Sequence, residues 1–132
     1  MIRVVQLGSP RAKNEGPRLG TVRRPPRGVP KTQFATRNFY DVWLPELSPS
    51  PEVVTAAMAR EWTDKRWQQF ERTYRREMQQ PAAQHLIATL AALSHHANFS
   101  LGCYCDDATR CHRSILRELL IEAGAHVDER LQ

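Results

Sequence analysis

The stretch from Phe99 to Ile115, FSLGCYCDDATRCHRSI, constrains the fold more than any other part of the chain. It begins as an apolar run of strand type, with Phe99, Leu101 and Cys103 alternating along it. A polar loop follows, Asp106-Asp107-Ala108-Thr109, and then an apolar stripe at helical spacing: Ile115, Leu116, Leu119, Leu120 and Ala123. A strand that passes through a tight loop into a helix is where open α/β folds place their ligands. All three cysteines of the protein, Cys103, Cys105 and Cys111, lie here, and His112 and Arg113 follow the third directly.

The rest of the chain supplies partners for that unit. Met1–Leu7 reads as a strand apolar on both faces, as a buried position in a parallel sheet requires, and Gly8-Ser9-Pro10 ends it. Residues 8–31 form a basic, irregular segment that Pro25, Pro26 and Pro30 keep from regular helix, with Arg18–Arg23 short enough to serve as a second strand. From Thr32 to Leu47 the chain carries Phe34, Phe39, Tyr40, Trp43 and Leu44 but is broken at Pro45. This predicts a short helix or helical turns over a sheet face.

Ser50 can cap a helix opened by Pro51 and Glu52 and running to about Arg60. Thr63-Asp64 caps another, whose Trp67, Phe70, Tyr74 and Met78 fall on one face; so regular a stripe is core packing before it is a stacking platform for bases. Pro81 opens a third helix, with Leu86, Ile87, Leu90 and Leu93 inward and the His95-His96 pair at its end, where positive charge is favourable without any ligand. Gly124 ends the last helix, and Ala125–Leu131 returns as an edge strand. The pattern predicts one α/β domain over residues 1–132, with a short, mostly parallel sheet of roughly three or four strands flanked by several helices.

Charge is unevenly spread. Residues 1–37 hold nine Lys/Arg against Glu15 alone, and the remainder is net negative, within an overall +5. A basic front third predicts an anionic partner: a small phosphate or carboxylate compound, nucleotides included, or nucleic acid. A solvated arginine-rich surface is the plain alternative. An odd number of cysteines crowded together makes a poor secreted disulfide framework and predicts a reducing, cytoplasmic setting. No apolar run reaches membrane-spanning length, so no membrane partner is expected.

Three readings of the cysteine stretch compete. With Thr109 as N-cap, Arg110, Cys111 and His112 occupy the first helical turn, where unpaired N–H groups attract anions. Cys111 is then a nucleophile or redox thiol, His112 an acid/base or orienting group, and Arg113 the anion clamp together with Arg110 and with Arg27, Arg24 or Arg23 arriving from the end of a neighbouring strand. Tyr40, Asp41 and Trp43 are candidates for the pocket wall. Alternatively Cys103 and Cys105, on one face of a strand, join Cys111 and His112 as a Cys₃His zinc site, although C-x-C-x₅-C-H is not a usual spacing. In the third reading the cysteines are packing residues and His112 and Arg113 pair locally, which suits Cys103 best. A C-x₅-R phosphatase loop is rejected, because six residues separate Cys103 from Arg110 and four separate Cys105 from it. No cofactor follows from these residues, and whether the protein is an enzyme stays open at this point.

Cys103 with Cys111-His112-Arg113 eight residues on, followed by an apolar helix, resembles the signature of the uncharacterised YeaO-like family, domain of unknown function 488. Arg18-Leu19 with Pro26-Arg27-Gly28-Val29, Tyr40-Asp41-Val42-Trp43-Leu44 with Pro49-Ser50, and Phe70 with Tyr74 are similar to its earlier blocks. The resemblance spans most of the chain and implies a small single-domain α/β fold without an assigned activity. Some relatives carry an acidic residue at the position of Cys105, which speaks against an obligatory three-cysteine metal site. YeaO itself lacks the Cys-His-Arg triplet, which therefore marks a subgroup and is not needed for the fold.

Overall fold

Five short strands hydrogen-bond in the order β3-β2-β4-β1-β5: β1 (Ile2–Gln6), β2 (Arg18–Gly20), β3 (Val42–Trp43), β4 (Phe99–Cys103) and β5 (Val127–Leu131). The computed structural model describes residues 1–131, so the last residue of the domain expected over 1–132 lies outside the described residues. Every strand pair is parallel, which makes a small α/β domain whose sheet has one strand more than its sequence pattern indicates. The additional strand is β3, two residues within the segment expected to be helical. The Asp41 carboxylate accepts the Arg18 N–H at 2.7 Å, the Arg18 carbonyl takes the Asp41 N–H, and Leu44 N–H reaches the Gly20 carbonyl. Those bonds draw Val42 and Trp43 alongside β2, while helical turns survive at Lys31–Gln33 and Pro45–Leu47.

Among the described residues four helices accompany the sheet: α1 (Pro51–Met58), α2 (Asp64–Glu77), α3 (Pro81–Leu93) and α4 (His112–Glu122). Ser50 and Thr63 cap the first two through the N–H groups of Val53 and Arg66, as their sequence positions require. The stripe on α2 is core: Tyr74 and Met78 are buried against Ile87 and Leu90 of α3, Ile115, Leu116 and Leu120 of α4, and Ile2, Leu19 and Leu101 of the sheet. Gly124, at φ +90°, follows the end of α4, where a residue without a Cβ best tolerates the left-handed turn.

On the opposite face loop residues lie directly on the strand backbone, and glycine makes this approach possible. A Cβ on Gly20 would collide with the Tyr40 ring, and one on Gly102 would meet Leu7 and the Val5 carbonyl. Leu7, Val22, Tyr40, Cys103 and Cys111 form a second buried cluster, flanked by Phe34, Phe39 and Tyr104. It gathers at the carboxyl ends of β1, β2 and β4, where open α/β sheets hold ligands. Among the described residues no helix is long and apolar enough to cross a membrane.

Candidate functional site

Cys103 is the last residue of β4, and Cys111 immediately precedes α4. The loop between them folds back so that the two sulfurs are in contact. Their Cα atoms stand 7.9 Å apart. The pair is joined as a disulfide, with Cys105 the free cysteine among the described residues. A relaxed disulfide holds its Cα atoms roughly 4.4–6.8 Å apart, so the wider backbone spacing here also accommodates the reduced pair. Thr109 does not cap the helix. Asp107 accepts both its N–H (3.0 Å) and its hydroxyl (2.6 Å), turning Ala108–Arg110 into a separate 3-10 turn. A carboxylate two residues upstream is the stronger acceptor, and the helix start moves to Cys111, leaving His112 and Arg113 in the first turn.

His112 is buried, and its Nε2 lies 2.6 Å from the Thr21 carbonyl and 3.2 Å from the Thr21 hydroxyl. A carbonyl only accepts, so Nε2 carries the proton and Nδ1 presents its lone pair, 3.8 Å from Cys111 Sγ. Burial first, and then the Arg113 cation, push the imidazole down to about 4 against the opposing pull of the Thr21 bond. At neutral pH the ring is therefore uncharged. Cys103 Sγ, Cys111 Sγ and one histidine nitrogen all lie within 4.8 Å of one another.

Arg113 is also buried, and its Nη1 donates to Cys103 Sγ at 3.0 Å and to the Cys105 carbonyl at 2.7 Å. A guanidinium on a sulfur favours the thiolate. Cys105 contributes its carbonyl and stands apart from the sulfur cluster, as an exposed residue. β4 ends at Cys103, and the chain bends before Cys105, so the shared strand face on which the four-ligand zinc set depends does not form. Packing around its sulfur pushes the Cys105 thiol up, and the Asp106 and Asp107 carboxylates add to this against the pull of Arg113.

The other expected site residues divide. Tyr40 belongs to the cluster with both cysteines, and its hydroxyl is buried without a hydrogen-bond partner among the described residues. Asp41 is occupied by the Arg18 N–H and by the Arg11 guanidinium (2.9 Å), and Trp43 donates to the Val22 carbonyl at 2.7 Å. Arg110 turns to Asp64 (2.9 Å) and lies over the Trp67 ring. Arg24 and Arg27 have exposed side chains; the Arg24 carbonyl accepts the Tyr104 hydroxyl at 2.9 Å, which sets their turn beside the Cys103–Cys111 loop. Gln6 holds the same loop through the Tyr104 carbonyl and Asp106.

Thr21, Gln6 and Tyr104 escaped the sequence reasoning. Only Tyr104, placed between two of the cysteines, carried a signal there. Thr21 and Gln6 act through positions at strand ends that only the sheet order defines.

No curated protein and no solved structure matches the chain. The model of the active DUF488-N3 subclade, DUF488-N3a, matches residues 2–124. The buried Cys-Cys-His cluster with its arginine thus stands within a matched region that takes in all five strands but the last, and the chain belongs to the DUF488-N3 subclade of the DUF488, YeaO-like family.

Proposed function

We propose that the protein is a thiol-dependent enzyme acting on a small anionic compound at the carboxyl end of its sheet. The observation that carries this reading is the Arg113 Nη1 donor 3.0 Å from Cys103 Sγ. It favours a thiolate on Cys103 once the Cys103–Cys111 pair is reduced, with the Cys111 thiol then beside it. The match to a subclade described as active supports it. In the reaction the Cys103 thiolate forms a bond to an electrophilic atom of the substrate, and the displaced group leaves with the electron pair. The Cys111 thiol, oriented by neutral His112, is the nearest proton source for that group. Cys111 is thus the partner sulfur, a change from the attacking role its place at the helix start had indicated. Arg24 and Arg27, exposed beside the loop over the sulfurs, attract the anion. Substrate reaches the buried pair when residues 104–110 swing out, which requires the Gln6 and Tyr104 bonds to the loop to open.

Alkylation kinetics test this in a Cys105→Ser background, with the modified cysteine identified by peptide mass. The expected result is a pH–rate midpoint for Cys103 below the ordinary thiol value of about 8.5. Negatively charged iodoacetate should react faster relative to neutral iodoacetamide than it does with free cysteine, and Arg24→Ala with Arg27→Ala should abolish that preference. A midpoint at or above the free-thiol value would sink the proposal.

A further inference from the structure

We propose that Cys103 Sγ, Cys111 Sγ and His112 Nδ1 together bind a thiophilic divalent cation of the zinc class. Three soft or borderline donors converge within 4.8 Å in a buried setting, and such a set suits zinc better than any oxygen-preferring ion. The sulfurs are in contact, so an ion enters only after the pair is reduced and the two side chains part; the Cα separation of 7.9 Å, wider than a relaxed disulfide's, accommodates that movement. The histidine is already in the tautomer a ligand needs. Its Nε2–H is committed to the Thr21 carbonyl, the outer partner that ligating histidines commonly have, and Nδ1 turns toward the sulfurs. Arg113 supplies a second outer contact, an N–H directed at the Cys103 sulfur. Leu7, Val22 and Tyr40 surround the pair with apolar groups, which strengthens attraction between thiolates and a divalent ion.

Three protein ligands leave one tetrahedral position for water or an exchangeable anion. Cys105 does not supply it, since its residue is exposed on the loop beyond the end of β4. Metal binding stands independently of the thiol chemistry proposed above; its consequence rests on that reading. A bound ion occupies both sulfurs, so the metal-loaded protein is the resting form and metal release exposes the reactive thiolate.

The test uses the full, reduced chain titrated with Co²⁺ and then Zn²⁺ under anaerobic conditions. One Co²⁺ per chain should produce sulfur-to-cobalt charge-transfer absorption, and Zn²⁺ should displace it. X-ray absorption of the zinc form should show two sulfurs at about 2.3 Å and lighter ligands at about 2.0–2.1 Å. Cys111→Ser and His112→Ala should weaken binding at least tenfold, and Cys105→Ser should leave it unchanged. The ligand count on wild-type protein decides the matter even where the buried variants fail to fold. Absence of the cobalt band, a sulfur count other than two, or loss of binding in Cys105→Ser would overturn the inference. Alkylation of Cys103 should slow by more than tenfold in the zinc form; an unchanged rate overturns the resting-form assignment. An ordinary thiol midpoint in metal-free protein, with zinc still bound by two sulfurs, refutes the enzyme reading and leaves the metal site standing.

Discussion

Glu15 is the sole acid among the first 37 residues, and the fold sets it against a buried arginine. Arg18 donates from Nε to Glu15 Oε2 at 2.6 Å and from Nη1 and Nη2 to the carbonyls of Ser9, Asn38 and Pro10, while the Ser100 hydroxyl completes the carboxylate. This knot clamps the loop after β1 onto β4 through Ser100. Removing one partner strands the other charge, so Arg18→Met should destabilise by roughly 3–5 kcal/mol in urea unfolding. Burial raises the Glu15 carboxyl, but the bonds from Arg18, the Ala12 N–H and Ser100 outweigh it and hold it below the ordinary 4.5. The unfolded chain then takes up this proton first as pH falls. Stability from Glu15 is full above the ordinary carboxylate value and is lost as pH drops through it toward the folded value. Urea midpoints between about pH 7 and pH 3 should fall more steeply for wild type than for Glu15→Gln; parallel curves would contradict this. At Gly20 the expectation is steric. Gly20→Ala drives a methyl into the Tyr40 ring, with an expected cost of about 1–3 kcal/mol and faster alkylation of the thiols that Tyr40 covers.

Among the elements, α2 shows how a legible helix is tied to an illegible neighbour. Its cap at Thr63 and its Trp67–Met78 stripe follow from spacing alone. The Tyr74 hydroxyl, wholly buried, donates to the Leu47 carbonyl at 2.7 Å and so anchors the 3-10 turn that leads out of β3. Tyr74→Phe leaves that carbonyl short of a partner, and thermal unfolding should show a loss of about 1–3 kcal/mol without change in far-UV circular dichroism. The start of α4 is the reverse case. Its apolar face was readable, but its first residue depends on Asp107 capturing Thr109, and that two-residue shift decides that His112 faces Thr21 and Arg113 faces Cys103.

At the scale of the molecule, four of the nine basic residues in the front third are held by the fold itself. Arg18 is internal, Arg11 pairs with Asp41, Arg3 with Asp128, and Arg23 donates to the Ser48 and Pro49 carbonyls. The two buried clusters share β4, through Leu101 on one side and Cys103 at its end. Near-UV signals from the aromatics around the thiols and far-UV signals from the helices should therefore report one urea midpoint; separate midpoints would show the clusters to be independent. The sequence by itself determined the α/β class, the strands β1, β4 and β5, the four helices and the stretch where chemistry is concentrated. Periodicity, caps and prolines are local signals, and each of those features is local. Only the tertiary structure decided that β3 exists, that Glu15 and Arg18 are one buried unit, and that Cys105 stands aside while Thr21 orients His112. Those outcomes rest on which strands become neighbours and where each one ends, and residues 80 or more positions apart in the chain meet only once the sheet has closed.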